Sequence, residues 1–194
     1  LFVTAHPLVI LIGMFLFVRR PNRMELVGGI AAFSGAAISM LDAGDVQGDR
    51  SVTFFGDQLA FLGAVFVVGY IVCGRILREW MPLFIYAFPV TLLGGLLLLP
   101  ASMLLEADYS QYGAFGYIGH ETLVWFVLLA FIAGILGHTG LNYCLKYVSP
   151  LLISISVTLE PVLGSIIGWM FFSTGVPGMW TWIGGPILML GIIS

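Results

Sequence analysis

Long apolar runs dominate this chain and limit what it can fold into. A helix needs about 20 mostly apolar residues to cross the hydrocarbon core of a bilayer. Seven runs reach or approach that length, at residues 2–18, 24–41, 57–74, 82–105, 122–145, 150–172 and 179–194. Apolar residues make up 60% of the 194 and charged residues 9%, and a soluble domain of this size could not bury so much apolar surface. The sequence therefore predicts an all-α transmembrane fold, a polytopic helical bundle with seven helices present.

Basic residues are unevenly distributed over the predicted loops. Six of the seven fall in alternate connections, whereas only Arg50 falls on the opposite side. The six are Arg19, Arg20, Arg23, Arg75, Arg78 and Lys146. Because cytoplasmic loops carry an excess of Lys and Arg, we expect these six residues to be cytoplasmic, in a membrane that the sequence does not identify. The net charge of −3 gives no reason to expect a nucleic-acid partner.

The chain contains a weak internal repeat. Residues 4–8 read TAHPL and residues 158–162 read TLEPV, an offset of 154 residues. Each motif precedes an apolar run, a short loop and a glycine pattern, which is Gly28, Gly29 and Gly35 in the first copy and Gly184, Gly185 and Gly191 in the second, offset by 156. The copies are five helices apart, so the second enters the membrane from the opposite side. Inverted-topology repeats of this kind occur in secondary transporters.

Several motifs resemble the EamA domain of the drug/metabolite transporter superfamily. They are LEPVLG at 159–164 with IGG at 183–185, GDQLA at 56–60 with GRIL at 74–77, and LKYVSP at 145–150. The resemblance implies ten helices in two inverted five-helix repeats with both termini cytoplasmic. On that map residues 1–45 are the last two helices of the first repeat, and residues 46–194 are the second repeat with its last helix clipped. The chain starts at Leu1 and stops inside an apolar run, so we expect a fragment that lacks three N-terminal helices of the same protein.

Glu160 is the only acid well inside an apolar run. A charge at mid-bilayer costs about 2.5–3.5 kcal/mol on insertion scales, which makes such a residue a functional candidate. Pro161 follows it and cannot donate to the carbonyl of Val157, so a polar backbone group is freed beside the carboxylate. The alternative is that Glu160 caps or pairs with a neighbouring helix in a purely structural role.

Polar and small residues also recur at helical spacing. His138, Asn142 and Lys146 are four residues apart, as are Ser156, Glu160, Gly164 and Gly168, so each set is expected on one helix face. His138 and Glu160 each lie eleven residues from Ser149, which predicts similar depth and a shared polar pocket. We expect the substrate or proton pathway to include Glu160, His138, Asn142, Ser156 and His6, with Pro161, Gly164, Gly168 and Pro7 as packing or hinge residues. His138 could instead be a packing histidine, and Lys146 is expected to extend to the interface.

The sequence predicts a secondary carrier that moves a small organic metabolite or drug across a membrane by alternating access. Its expected partners are the small-molecule substrate, the lipid bilayer and the missing helices, while substrate identity, direction, coupling ion and oligomeric state are not indicated. A non-transporting membrane scaffold and a seven-helix receptor-like protein are the alternatives. No enzyme is expected, because the nearest match to a rhomboid-type Gly-x-Ser-Gly motif, AFSG at 32–35, lacks the first Gly. No catalytic residue, metal or cofactor is predicted.

Overall fold

The computed structural model describes residues 3–45, 54–105, 120–172 and 175–193, and within these ranges all regular secondary structure is helical. Its α-helices are α1 (His6–Gly13), α2 (Arg23–Ser39), α3 (Phe54–Arg78), α4 (Leu83–Leu105), α5 (His120–Leu129), α6 (Gly140–Cys144), α7 (Pro150–Val157), α8 (Glu160–Phe172) and α9 (Met179–Ile193). Val3–Ala5 and Met40–Asp45 form 3-10 turns, and Met14–Val18 and Ala130–Thr139 are π-helical.

The predicted apolar runs are mostly helical where the structure describes them. Five segments are long and apolar enough to cross a membrane: Arg23–Asp42, Gln58–Arg78, Leu83–Leu104, Thr122–Cys144 and Pro150–Phe172. Two shorter apolar helices, His6–Val18 and Met179–Ile193, complete the seven in the described part of the chain. These helices confirm the predicted all-α, multi-pass membrane fold. Arg50, the one base expected on the opposite side, lies outside the described residues.

The chain divides into two compact units, one formed by Leu1–Cys73 with Val148–Ser194 and the other by Gly74–Tyr147. In the first unit, α2 and α9 pack through small residues. A Cβ added to Gly35 would lie 2.5 Å from the backbone nitrogen of Leu188, and one added to Gly191 would lie 2.6 Å from the carbonyl oxygen of Gly28. Small residues allow such close backbone approach between membrane helices. Beside this seam, α1 and α7 bury Ile10, Leu11, Leu151 and Ile155 against Ala32 of α2.

In the second unit, the end of α3 differs from the prediction. Arg75 and Arg78 were expected in a loop, but they occupy the last turn of the helix, and Arg23 likewise opens α2. The Arg75 guanidinium donates to the carbonyls of Leu145, at 2.7 Å, and Lys146. Arg78 donates to the carbonyl of Asn142 at 3.0 Å and to that of Met81. Carbonyls at helix ends lack intrahelical donors, and these two arginines in the last turn of α3 supply donors to the end of α6 and to the turn after α3.

Candidate functional site

Both copies of the repeated motif begin a helix inside an apolar segment. In the first copy the 3-10 turn Val3–Ala5 precedes His6 and Pro7 at the start of α1. In the second copy α7 ends at Val157, a turn covers residues 158 and 159, and α8 starts at Glu160. Proline is tolerated in the first helical turn, where its missing N–H would have no partner in any case. Interrupted helices such as α7–α8 form substrate and ion sites in many secondary transporters.

His6 at the start of α1 is buried and has a defined partner. Its side chain is 4% exposed, and Nδ1 lies 3.0 Å from the hydroxyl of Ser154, which has no exposed surface. The contact joins α1 to α7. Sequence reasoning selected His6 but missed Ser154, whose only signal is a hydroxyl in an apolar segment where a buried polar group needs a partner.

The interruption between α7 and α8 separates two residues that were expected on one continuous helix face. Ser156 lies on α7 and donates to the carbonyl of Leu152 at 2.8 Å, whereas Glu160 opens α8 and is exposed. The predicted stripe therefore crosses a turn at residues 158 and 159, where the helix is broken because the ring of Pro161 would clash with the carbonyl four residues earlier, and it stays a prediction. Gly164 faces open space, with no described atom within 4 Å of an added Cβ, and Gly168 is half-buried on the same helix.

The polar residues of the second unit have different surroundings. Asn142 on α6 is 3% exposed, whereas His138 is exposed and lies in the π-helical segment Ala130–Thr139. The predicted four-residue stripe assumed continuous α-helix, and i→i+5 hydrogen bonding changes the angular spacing. Glu160 belongs to the other unit, so the shared pocket of His138 and Glu160 stays a prediction.

Asp42 connects the end of the α2 segment to the start of α9. Its two carboxylate oxygens accept the backbone N–H groups of Trp180, at 3.2 Å, and Thr181, at 2.6 Å. The first N–H groups of a helix have no intrahelical acceptor, and the helix dipole favours a negative charge there. Gly178 is needed beside it, because an added Cβ would collide with the carboxylate. Sequence reasoning placed no function on Asp42, since its partners lie 138 and 139 residues away.

The opposite end of α2 carries a second polar cluster. Arg19 forms a two-point ion pair with Glu25, at 2.8 and 2.6 Å. Glu25 also accepts the backbone N–H of Asn22 at 2.8 Å, and the Asn22 side chain accepts the N–H of Glu25 at 2.7 Å, which is a capping box. The hydrogen bonds to Glu25 raise the pKa of the Arg19 guanidinium, a group that is charged at any physiological pH. No three His, Cys, Asp or Glu side chains come together to hold a metal within the described ranges.

Four glycines of the repeated pattern contact one another across the α2–α9 packing, each against the equivalent of its neighbour in the pattern. Gly35 contacts Gly184, and Gly28 contacts Gly191. In the repeat, Gly28 is equivalent to Gly184 and Gly35 is equivalent to Gly191. If each glycine is replaced by its equivalent, the Gly35–Gly184 contact becomes the Gly28–Gly191 contact, and the reverse also holds. This exchange is what an approximate two-fold axis between α2 and α9 would produce.

The apolar spans and interrupted helices define an integral, multi-pass membrane protein with an all-helical fold in its described parts. A family model described as the EamA-like transporter family matches residues 54–194, well over half of the chain. The chain belongs to that family, and this membership implies a membrane transporter. Neither the curated proteins nor the solved structures include a match to it.

Proposed function

We propose that this chain is part of a secondary carrier that moves a small organic metabolite or drug by alternating access. In this proposal residues 1–45 supply the last two helices of a first repeat and residues 46–194 supply the second repeat, as the repeated motifs predict. Alternating access requires two pseudo-symmetric halves around a shared site, which inverted repeats provide. The loops that carry Arg19, Arg20 and Lys146 are cytoplasmic in this arrangement.

The observation that carries the proposal is the exchange of glycine contacts between α2 and α9. A seam formed by unrelated helices would have no reason to place repeat-equivalent residues in reciprocal contact. Here the Gly35–Gly184 and Gly28–Gly191 contacts are interchanged by the same offset that relates the two sequences. The seam therefore supports an inverted relation of the two copies, with α2 and α9 beside the axis.

The proposed pathway uses the polar groups at the start of α1 and near the interruption between α7 and α8. Glu160 and His6 occupy equivalent positions in the two motifs, and Ser156, His138 and Asn142 supply further polar groups along it. Pro7 and Pro161 start helices in both copies, so they are the proposed hinge positions. The panel of solutes for testing comprises amino acids, nucleotide-linked sugars and organic-cation drugs.

The test is solute movement in proteoliposomes that contain the full-length carrier. Glu160→Gln should lower saturable transport by much more than it lowers the yield of folded protein, because the exposed carboxylate at the start of α8 would no longer bind substrate or a proton. Glu79→Gln is the matched control, since Glu79 is an exposed acid in the turn after α3 with only a 4.0 Å pair to Arg75. A folded carrier that moves no solute of the panel in either direction would favour a membrane scaffold. Equal rates for both variants would remove Glu160 from the pathway.

A further inference from the structure

An apolar cleft of about 430 Å³ opens in the first unit, beside the turn that joins α1 to α2. Its walls include Ile10, Gly13 and Phe17 from α1 and its π-helical continuation, Val68 and Val72 from α3, and Leu151 from α7. Its polar lining residues are Arg19, Glu25 and Ser149, all of which stand at helix ends. The volume lies within the range of roughly 300–1,000 Å³ that is typical of small-molecule sites.

The bounds of the apolar segments place the cleft at the depth where phospholipid headgroups meet their acyl chains. It is lined by residues 10–18 of the apolar segment His6–Val18, by Val68 and Val72 in the second half of Gln58–Arg78 and by the first turn of Pro150–Phe172, so it extends from the polar interface into the hydrocarbon layer. An acyl chain is the natural neighbour of apolar walls at that depth. Free metabolites with polar groups at both ends would leave those groups unpaired against such walls.

The charges at the cleft mouth select the headgroup. The turn carries Arg19, Arg20 and Arg23 against the single acid Glu25. Glu25 is fully engaged by Arg19 and by the capping box, so it neutralises only one of the three bases. Within the described part of the chain, the exposed guanidinium groups of Arg20 and Arg23 have no hydrogen bond or ion pair. Arg20 and Arg23 are not lining residues themselves, but they stand in the same turn as Arg19 and Glu25, which line the cleft. Two uncompensated cations in that turn match a negatively charged phosphate attached to an acyl chain.

We propose that this cleft binds one anionic phospholipid, with an acyl chain between α1, α3 and α7 and its phosphate held by Arg20 and Arg23. The Arg19–Glu25 pair and the capping box hold the turn that carries these two arginines. The lipid would stabilise the packing of α1 on α7, since both helices line the cleft. This inference concerns a lipid site and does not depend on which solute is carried.

The experiment is native mass spectrometry of the purified full-length carrier, titrated with dioleoyl phosphatidylglycerol or with dioleoyl phosphatidylcholine. We expect one phosphatidylglycerol to bind more tightly than any phosphatidylcholine. Each arginine near an anionic surface contributes about fivefold to affinity, so Arg20→Gln with Arg23→Gln should weaken binding by roughly 20- to 30-fold. Arg20→Lys with Arg23→Lys should retain most of the affinity, because both charges remain.

A second variant tests the cleft itself. Gly13 lines it, and no described atom lies within 4 Å of a Cβ added there, so Gly13→Leu fills the cleft without a backbone clash. We expect this variant to lose phosphatidylglycerol binding while its helical content and its unfolding temperature without lipid are unchanged. Gly94→Leu is the matched control, because Gly94 also faces open space but does not line the cleft.

Three results would overturn the proposal. The first is equal affinity for the two lipids, which would indicate ordinary solvation by the bilayer. The second is full displacement of phosphatidylglycerol by inorganic phosphate, which would indicate a free-anion site. The third is unchanged lipid binding in Gly13→Leu, which would show that the cleft is not the binding site.

Discussion

Gly184 of α9 lies so close to Gly35 of α2 that any side chain on Gly184 would collide with the Gly35 carbonyl oxygen and with the hydroxyl of Ser39. The Ser39 hydroxyl in turn donates to the Gly35 carbonyl at 2.9 Å. The same carbonyl oxygen therefore accepts a hydrogen bond within α2 and lies where α2 and α9 are closest. Space at this crossing is limited by backbone atoms on both sides, which cannot move away as a flexible side chain could.

Substitution at this crossing should therefore destabilise the first unit. Gly184→Val should lower the free energy of unfolding by about 1–3 kcal/mol or more, because added methyl groups force the two backbones apart. Gly164→Val on α8 is the control, since a Cβ at Gly164 meets nothing within 4 Å. Equilibrium unfolding in mixed detergent micelles measures the free energy of unfolding of both variants. A loss at Gly164 as large as that at Gly184 would contradict the proposed role of the seam.

The Asp42 cap predicts a local change at the start of α9. Asp42→Ala should lower the free energy of unfolding by about 0.5–2 kcal/mol, the usual effect of removing a helix cap. It should also speed hydrogen exchange at the amides of Trp180 and Thr181, which lose their acceptor. Asp42→Asn should recover part of the protection, because one carbonyl oxygen remains as an acceptor. Exchange measured by mass spectrometry should show no change in α8 or α2. Faster exchange throughout α9 with unchanged protection at residues 180 and 181 would contradict the cap.

The orientation can be tested with single cysteines. In a background without Cys73 and Cys144, we expect Trp80→Cys and Val176→Cys to react with an impermeant maleimide from opposite sides of a sealed vesicle. Trp80 lies in the turn after α3, beside the arginines Arg75 and Arg78, and Val176 lies in the connection before α9. Both side chains are exposed, so accessibility should not limit the reaction. Labelling of both from one side would contradict the topology.

The local features of this fold could be predicted from sequence, and the long-range ones could not. Apolar runs are a local property, so the seven helices were located within a few residues. Pro161 predicts the helix interruption before Glu160, and this interruption lies within the helix face predicted for Ser156 and Glu160. At the end of α3, Arg78 donates to a carbonyl acceptor more than 60 residues away. The Asp42 cap likewise joins an acceptor to donors almost 140 residues away along the chain. The repeat predicted that the glycines are equivalent, but only three-dimensional packing places them in reciprocal contact.

The last prediction concerns the hydrogen bond between His6 and Ser154. Both side chains are buried, so Ser154→Ala should leave the His6 nitrogen without its partner and cost about 1–3 kcal/mol, the usual effect of an unsatisfied buried polar group. His6→Phe should cost a similar amount, since it strands the serine hydroxyl. The double variant should lose less than the sum of the two single losses, because neither polar group then remains to be satisfied.

A matched control for that cycle is Ser165→Ala on α8. Its hydroxyl donates to the carbonyl of Val162 in its own helix at 2.8 Å, so its removal strands no group on another helix and should change the unfolding free energy little. In the double variant with His6→Phe, the two losses of unfolding free energy should add, because no atom of Ser165 is a partner of His6. Additivity in the Ser154 cycle as well would mean that the 3.0 Å contact contributes no coupling, and His6 would then be free to serve the transport pathway by itself. Strong coupling would instead identify His6 as the residue that positions α1 on α7, next to the interruption between α7 and α8.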